Sequence, residues 1–190
     1  METNSRQIQI GIIIVLFLSS LIMPIILLYP IQEMLYRPQE FYYFEPYFNA
    51  YVIFMAALFV MALILLINFL IIPKTKKNNN IQRGIVTAFF LIALGFITLS
   101  FNNYKLMDSE GIHVNQLFSL KADLVGWEEI VKVEQVNREK DGVTKPDRLV
   151  FTLQNGSTIE EPLTSKMMEA KNLFAVELNQ HGITIENVYE

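Results

Sequence analysis

Three long stretches of the chain are almost free of polar side chains, and they frame everything else. Residues 8–29 read IQIGIIIVLFLSSLIMPIILLY, residues 50–72 read AYVIFMAALFVMALILLINFLII, and residues 84–101 read GIVTAFFLIALGFITLSF. At about 1.5 Å per residue the first two cover the roughly 30 Å hydrocarbon core of a bilayer, and the third is the shortest span of the set. The pattern predicts three transmembrane helices. The first run is too long for a cleavable leader and ends in Leu27-Leu28-Tyr29-Pro30 without a small-residue step, so it reads as an uncleaved anchor. Pro24 removes one backbone hydrogen bond inside it, which predicts a kink near Ser20 and a Pro24 face turned to another helix or hydroxyl.

The segments between the runs set orientation. Between the second and third lies PKTKKNNNIQR, with Lys74, Lys76, Lys77 and Arg83 and no acid. Together with Arg6 these outnumber Arg37 and Lys105 on the opposite side, which predicts the N-terminus inside and the C-terminal part outside. Between the first and second runs, Pro30, Pro38 and Pro46 argue against a continuous helix. Phe41, Tyr42, Tyr43, Phe44, Tyr47 and Phe48 cluster there. Such rings suit the headgroup layer, as an interfacial belt, and they equally suit a partner-binding surface. Asn68 lies about one turn from the cytoplasmic end of the second run, and Gly84, Ala88 and Gly95 could admit a close helix neighbour in the third.

After Phe101 the period changes. Tyr104–Met107 and Ile112–Asn115 read as strands around Asp-Ser-Glu-Gly, and Leu117–Leu120 as another. A half-buried strand follows Trp127 through Ile130, Val131, Val133 and Val136, and Glu139–Asp147 reads as a polar loop. Arg148–Leu153 and Ser157–Glu161 form a hairpin around Asn155-Gly156. Thr164 or Ser165 caps a helix to about Gln180, with a stripe of Met167, Met168, Leu173, Phe174 and Leu178 and a stop at Gly182. Residues 183–189 read as a last strand. The expected organisation is therefore α+β: a membrane domain over 1–101 and a soluble, β-rich domain over 102–190.

Charge narrows the function. Residues 102–190 carry nine Lys and Arg against fifteen Asp and Glu, which argues against nucleic acid as a partner. No Cys occurs, so thiolate chemistry, Cys-ligated metals and disulfides are excluded. None of the three runs contains an Asp, Glu, Lys, Arg or His, which argues against a channel, pump or coupled transporter.

The runs Tyr104-Lys-Leu-Met-Asp-Ser-Glu-Gly-Ile-His-Val114, Trp127-Glu-Glu-Ile-Val-Lys-Val133 and Leu149-Val-Phe-Thr-Leu-Gln-Asn-Gly-Ser-Thr-Ile159 resemble the pleckstrin-homology-like (PH-like) domains of small bacterial membrane proteins. The resemblance covers about residues 103–181. It implies a bent antiparallel barrel or sandwich plugged by the final helix, a bacterial plasma membrane, and a non-catalytic binding or assembly role. The basic loop cluster of phosphoinositide-binding versions is missing here, so headgroup recognition is not implied.

Groups able to do chemistry are sparse. His113 and His181 are the only histidines; His113 is expected to face out from its strand and His181 to sit at a helix end. Glu128–Glu129 and Glu160–Glu161 are neighbouring carboxylates, but adjacent strand residues point to opposite faces and both pairs read as solvated surface. An enzyme would have to use Glu128, Glu160 or His113. No catalytic, metal or cofactor constellation emerges, and Trp127 is expected in the core of the small domain, with partner contact as its second role. The reading is a non-enzymatic integral membrane protein that works as an interaction, assembly or regulatory module. Its expected partners are the bilayer and another membrane protein or a second copy. The competing reading is a bacteriocin or toxin immunity protein or an envelope-stress sensor.

Overall fold

The computed structural model describes residues 2–71, 79–119, 121–140 and 142–190. Its content is α+β: three long apolar helices, α1 (Glu2–Tyr36), α2 (Phe48–Ile71) and α3 (Asn79–Phe101), and strands that follow them. The segments Arg6–Tyr36, Phe48–Leu70 and Arg83–Phe101 are long and apolar enough to cross a membrane. Lys74, Lys76 and Lys77 lie outside the described residues; Arg83 is exposed.

The chain divides into two compact units that do not follow chain order. One holds Met1–Tyr36, Pro46–Tyr104 and Gln116–Leu120; the other holds Arg37–Glu45, Lys105–Asn115 and Lys121–Glu190. The connection between the first two helices is divided, Arg37–Glu45 grouping with the strands.

In the helical unit, α2 packs against both α1 and α3. Helix α1 runs seven residues past its expected end, straight through Pro24 and Pro30, and so includes Glu33. A helix in apolar surroundings tolerates such breaks when the rest of its backbone stays satisfied. Its buried stripe is Ile13, Ser20, Pro24, Leu28 and Gln32, spaced to fall on one helical face. Phe17 meets Phe59 edge-on at 5.2 Å, and Phe54 meets Phe101 at 5.4 Å. At one end, the buried Gln32 amide donates to the carbonyls of Ser100, Phe101 and Asn103 at 3.0–3.1 Å. The last turn of a helix leaves carbonyls without intrahelical donors, and Gln32 meets those of α3. Asn103 donates to Asn49 at 2.7 Å, and Tyr36 stacks on Tyr104 at 4.6 Å.

The β unit contains two four-stranded sheets. The first has the order β1 (Tyr43–Pro46), β2 (Tyr104–Met107), β3 (Gly111–Asn115), β4 (Asp123–Gly126). The second runs β7 (Thr158–Pro162), β6 (Val143–Leu153), β5 (Ile130–Lys140), β8 (Ile185–Tyr189), antiparallel except that β8 lies parallel to β5. Their shared core joins Tyr43, Ile112, Trp127, Val133, Leu149 and Phe151 to one face of α4 (Ser165–Gln180), namely Met167, Ala170, Phe174 and Leu178. The Thr164 hydroxyl caps α4 by accepting from Met167 N at 3.2 Å. The other end closes through Gly182 at φ 74°, with Ile183 N donating to Leu178 O at 2.9 Å.

Two strand expectations and one helix expectation change. Gln116–Ser119 is a turn, with Ser119 N donating to Gln116 O at 2.9 Å; Leu120 lies outside the described residues, and the strand comes later as β4. The supposed loop 139–147 is instead the far end of a long hairpin, paired to Lys140↔Val143. Pro146 fits there beside a register shift and beyond the residues that β7 pairs. Of the stripe assigned to the last helix, Met168 and Leu173 are exposed, at 40% and 53%.

Candidate functional site

The aromatic segment shows most clearly where sequence and structure part. Tyr43 and Phe44 are buried, at 3% and 0% exposure, because their segment forms β1 at the edge of the first sheet. Burial and the Glu45 carboxylate, which accepts the phenol hydrogen, both push the Tyr43 pKa up. Tyr42 is half-buried and donates to Glu177 at 2.7 Å, and that carboxylate is the main reason its pKa is pushed up to about 12. Phe41 is half-buried under the Arg37 guanidinium at 4.7 Å. In the helical unit, Tyr47 is half-buried and Phe48 is 82% exposed. Trp127, 1% exposed, stacks on Phe174 at 5.7 Å and donates to Asp108 O at 3.0 Å. Tyr43, Phe44 and Trp127 therefore belong to the interior; of the candidate rings, only Phe48 presents a fully exposed face.

The candidate chemical groups do not converge either. His113 is half-buried rather than facing out, its Nε2 lying 3.1 Å and 3.0 Å from the two Asp108 carboxylate oxygens. His181 is exposed at the end of α4, as expected. Glu128 is exposed, whereas the neighbouring Glu129 carboxylate accepts from Gly126 N at 3.2 Å. Glu160 and Glu161 do point to opposite faces, but only Glu160 is solvated, 3.2 Å from Arg148. The Glu161 side chain is 2% exposed and pairs with Lys105. Burial raises its pKa, against the pull of the Lys105 ammonium, and the nearby Glu45 adds to the rise. No group of three His, Cys, Asp or Glu able to hold a metal occurs among the described residues.

A concavity of the β unit lies elsewhere, a groove of about 400 Å³ between α4 and the β5–β8 edge. Its polar wall is a relay of amides. The Lys171 ammonium donates to Gln135 Oε1 at 2.7 Å, and Gln135 Nε2 donates to Asn137 Oδ1 at 2.9 Å. Asn137 Nδ2 donates in turn to Asn187 Oδ1 at 3.2 Å. Asn179 and Thr184 add an amide and a hydroxyl, with Ile183 and Ile185 as apolar floor. Amides, a hydroxyl and one ammonium are groups that can hold a ligand through donors and acceptors; none is a nucleophile activated by a neighbouring base. Sequence reasoning missed the groove because Gln135, Lys171 and Asn187 come from three separate elements. The only local sign was polar residues at Gln135 and Asn137, positions where a strand of this core would otherwise be apolar. Comparison with protein-family models, curated proteins and solved structures gave no match.

Proposed function

We propose that this chain is a non-enzymatic, multi-pass plasma-membrane protein whose β unit serves as an interaction or assembly module. The observation that carries the reading is the amide-lined groove, built of binding groups, on a β unit in the same chain as three span-length apolar helices. A PH-like character for the β unit is supported by its two sheets, which share one core on which an amphipathic helix packs, as the resemblance implies. The N-inside, C-outside orientation rests on Arg6, Lys74, Lys76, Lys77 and Arg83 against Arg37 and Lys105. The partner that fits is another membrane or envelope protein, or a second copy.

A photo-crosslinking residue at Asn179, in the groove, is the test, with Lys145 on the exposed hairpin as the comparison site. Irradiation of intact membranes is expected to give a discrete adduct from position 179 that Lys171→Glu abolishes, and none from 145. Identical patterns from both positions would refute the groove as the binding face. For orientation, Ser157→Cys is the appropriate probe, because the chain has no other thiol and Gly156, at φ 82°, would be strained by any side chain. Labelling by an impermeant maleimide on intact cells is expected; labelling only after permeabilisation would invert the topology.

A further inference from the structure

The turn between β3 and β4 behaves unlike the rest of the β unit. Gln116–Leu120 groups with the helices, although the strands on either side group with the β unit. Phe118 at its tip is 77% exposed, and Leu124, at the start of β4, is 47% exposed. From Gly111 to Ala122 the chain has no Asp or Glu and carries exposed Lys121, in a half of the protein that is otherwise acidic. An exposed Phe on an acid-free turn beside a lysine suits the headgroup layer, where rings enter the acyl boundary and ammonium groups meet phosphate. The same layer already has a marker in the helical unit, since Phe48, 82% exposed, opens α2 at the start of its apolar segment.

We propose that this turn is a membrane-insertion element: Phe118 enters the headgroup–acyl boundary of a bilayer, with Lys121 on the phosphate side. The occupant is lipid. This inference rests on the reading that α1, α2 and α3 span a bilayer, and its test separates the two.

The absence of native Cys allows one nitroxide at a time, on Phe118→Cys, Phe48→Cys or Ser157→Cys, in the full-length protein in phosphatidylcholine–phosphatidylglycerol nanodiscs. Collision with oxygen, which partitions into lipid, is compared with collision with aqueous nickel-EDDA. The Phe118 label is expected to show the high oxygen-to-nickel ratio of Phe48, and Ser157 the low ratio of water. A Phe118 label that matches Ser157 overturns the proposal, as does one shielded from both reagents, which means protein cover. If Phe48 itself reads as aqueous, the spanning assignment falls first and the insertion element with it.

Discussion

Replacing Tyr43 with Ala should destabilise the β unit although Tyr43 lies between two apolar helices in the sequence. The ring is 3% exposed and packs in the cluster that contains Trp127, Phe151 and Phe174. Truncating a buried aromatic side chain to Ala costs about 3–5 kcal/mol, from lost transfer energy and the cavity left behind. Trp127 is the single Trp, it is buried, and it belongs to the β unit, so its fluorescence reports this unit alone. Urea in mild detergent unfolds small domains with a slope of about 1–3 kcal/mol per molar, so the Trp127 midpoint should drop by at least about 1 M. The comparison is Phe48→Ala, which removes an 82% exposed ring of the helical unit and should leave that midpoint in place. If Tyr43→Ala moves it no more than Phe48→Ala does, residues 37–45 are a loose connection and their assignment to the β unit is wrong.

The remaining predictions concern the same unit. A fragment of residues 102–190 lacks β1 and leaves β2 as a bare edge, so it should show no cooperative Trp127 transition until a peptide spanning 37–47 is added; a sharp transition without peptide would count against this. Gly111→Ala should lower the urea midpoint by more than Gly156→Ala. Position 111 has φ 150°, and a Cβ there would lie 2.2 Å from Val125 O, whereas at 156 it meets open space. Glu161 has a raised pKa in the folded unit, so the native state holds its proton more tightly than the unfolded chain does. Its contribution to stability is therefore least favourable near neutral pH, improves as pH falls through the folded value, and is complete below the ordinary carboxyl range. Urea midpoints of the wild type and Glu161→Gln, compared from pH 7 to 4, should shift in favour of the wild type on acidification; drift the other way would refute the assignment.

How much of this was legible in the sequence depends on where each signal resides. The apolar segments of α1, α2 and α3 are local and unbroken, so their composition alone declares them. Helix α4 is equally local: Thr164, the buried face of Met167, Phe174 and Leu178, and Gly182 at φ 74° all lie within 20 residues. Strand β1 is different. Its four residues, Tyr-Phe-Glu-Pro, match an interfacial belt as well as a strand, and only pairing with β2, some sixty residues later, decides between them. The outer end of the β5–β6 hairpin is illegible for another reason. Residues 143–146 are all exposed, so no apolar alternation marks them, and the ladder there is held by backbone bonds rather than by a core. The groove lies at the far end of that scale, because its relay takes its residues from three separate elements.

The late pairing of β1 with β2 also explains why two amides, Gln32 and Asn103, are buried at one end of the apolar helices. Joining two strands across so long a connection would cost chain entropy that grows with the logarithm of its length, and a four-residue strand has few bonds to set against it. Here the connection is α2 and α3, packed on one another. Its two ends are fixed by Asn103 donating to Asn49 at 2.7 Å and by Tyr47 N donating to Asn103 O at 3.3 Å. Gln32 holds the carbonyls at the same end of α3. Residues 46 and 104 then leave the helices side by side, so the closure entropy of β1–β2 is met largely by helix packing. That makes Gln32, Asn49 and Asn103 part of what folds the β unit, although none of them lies in its core.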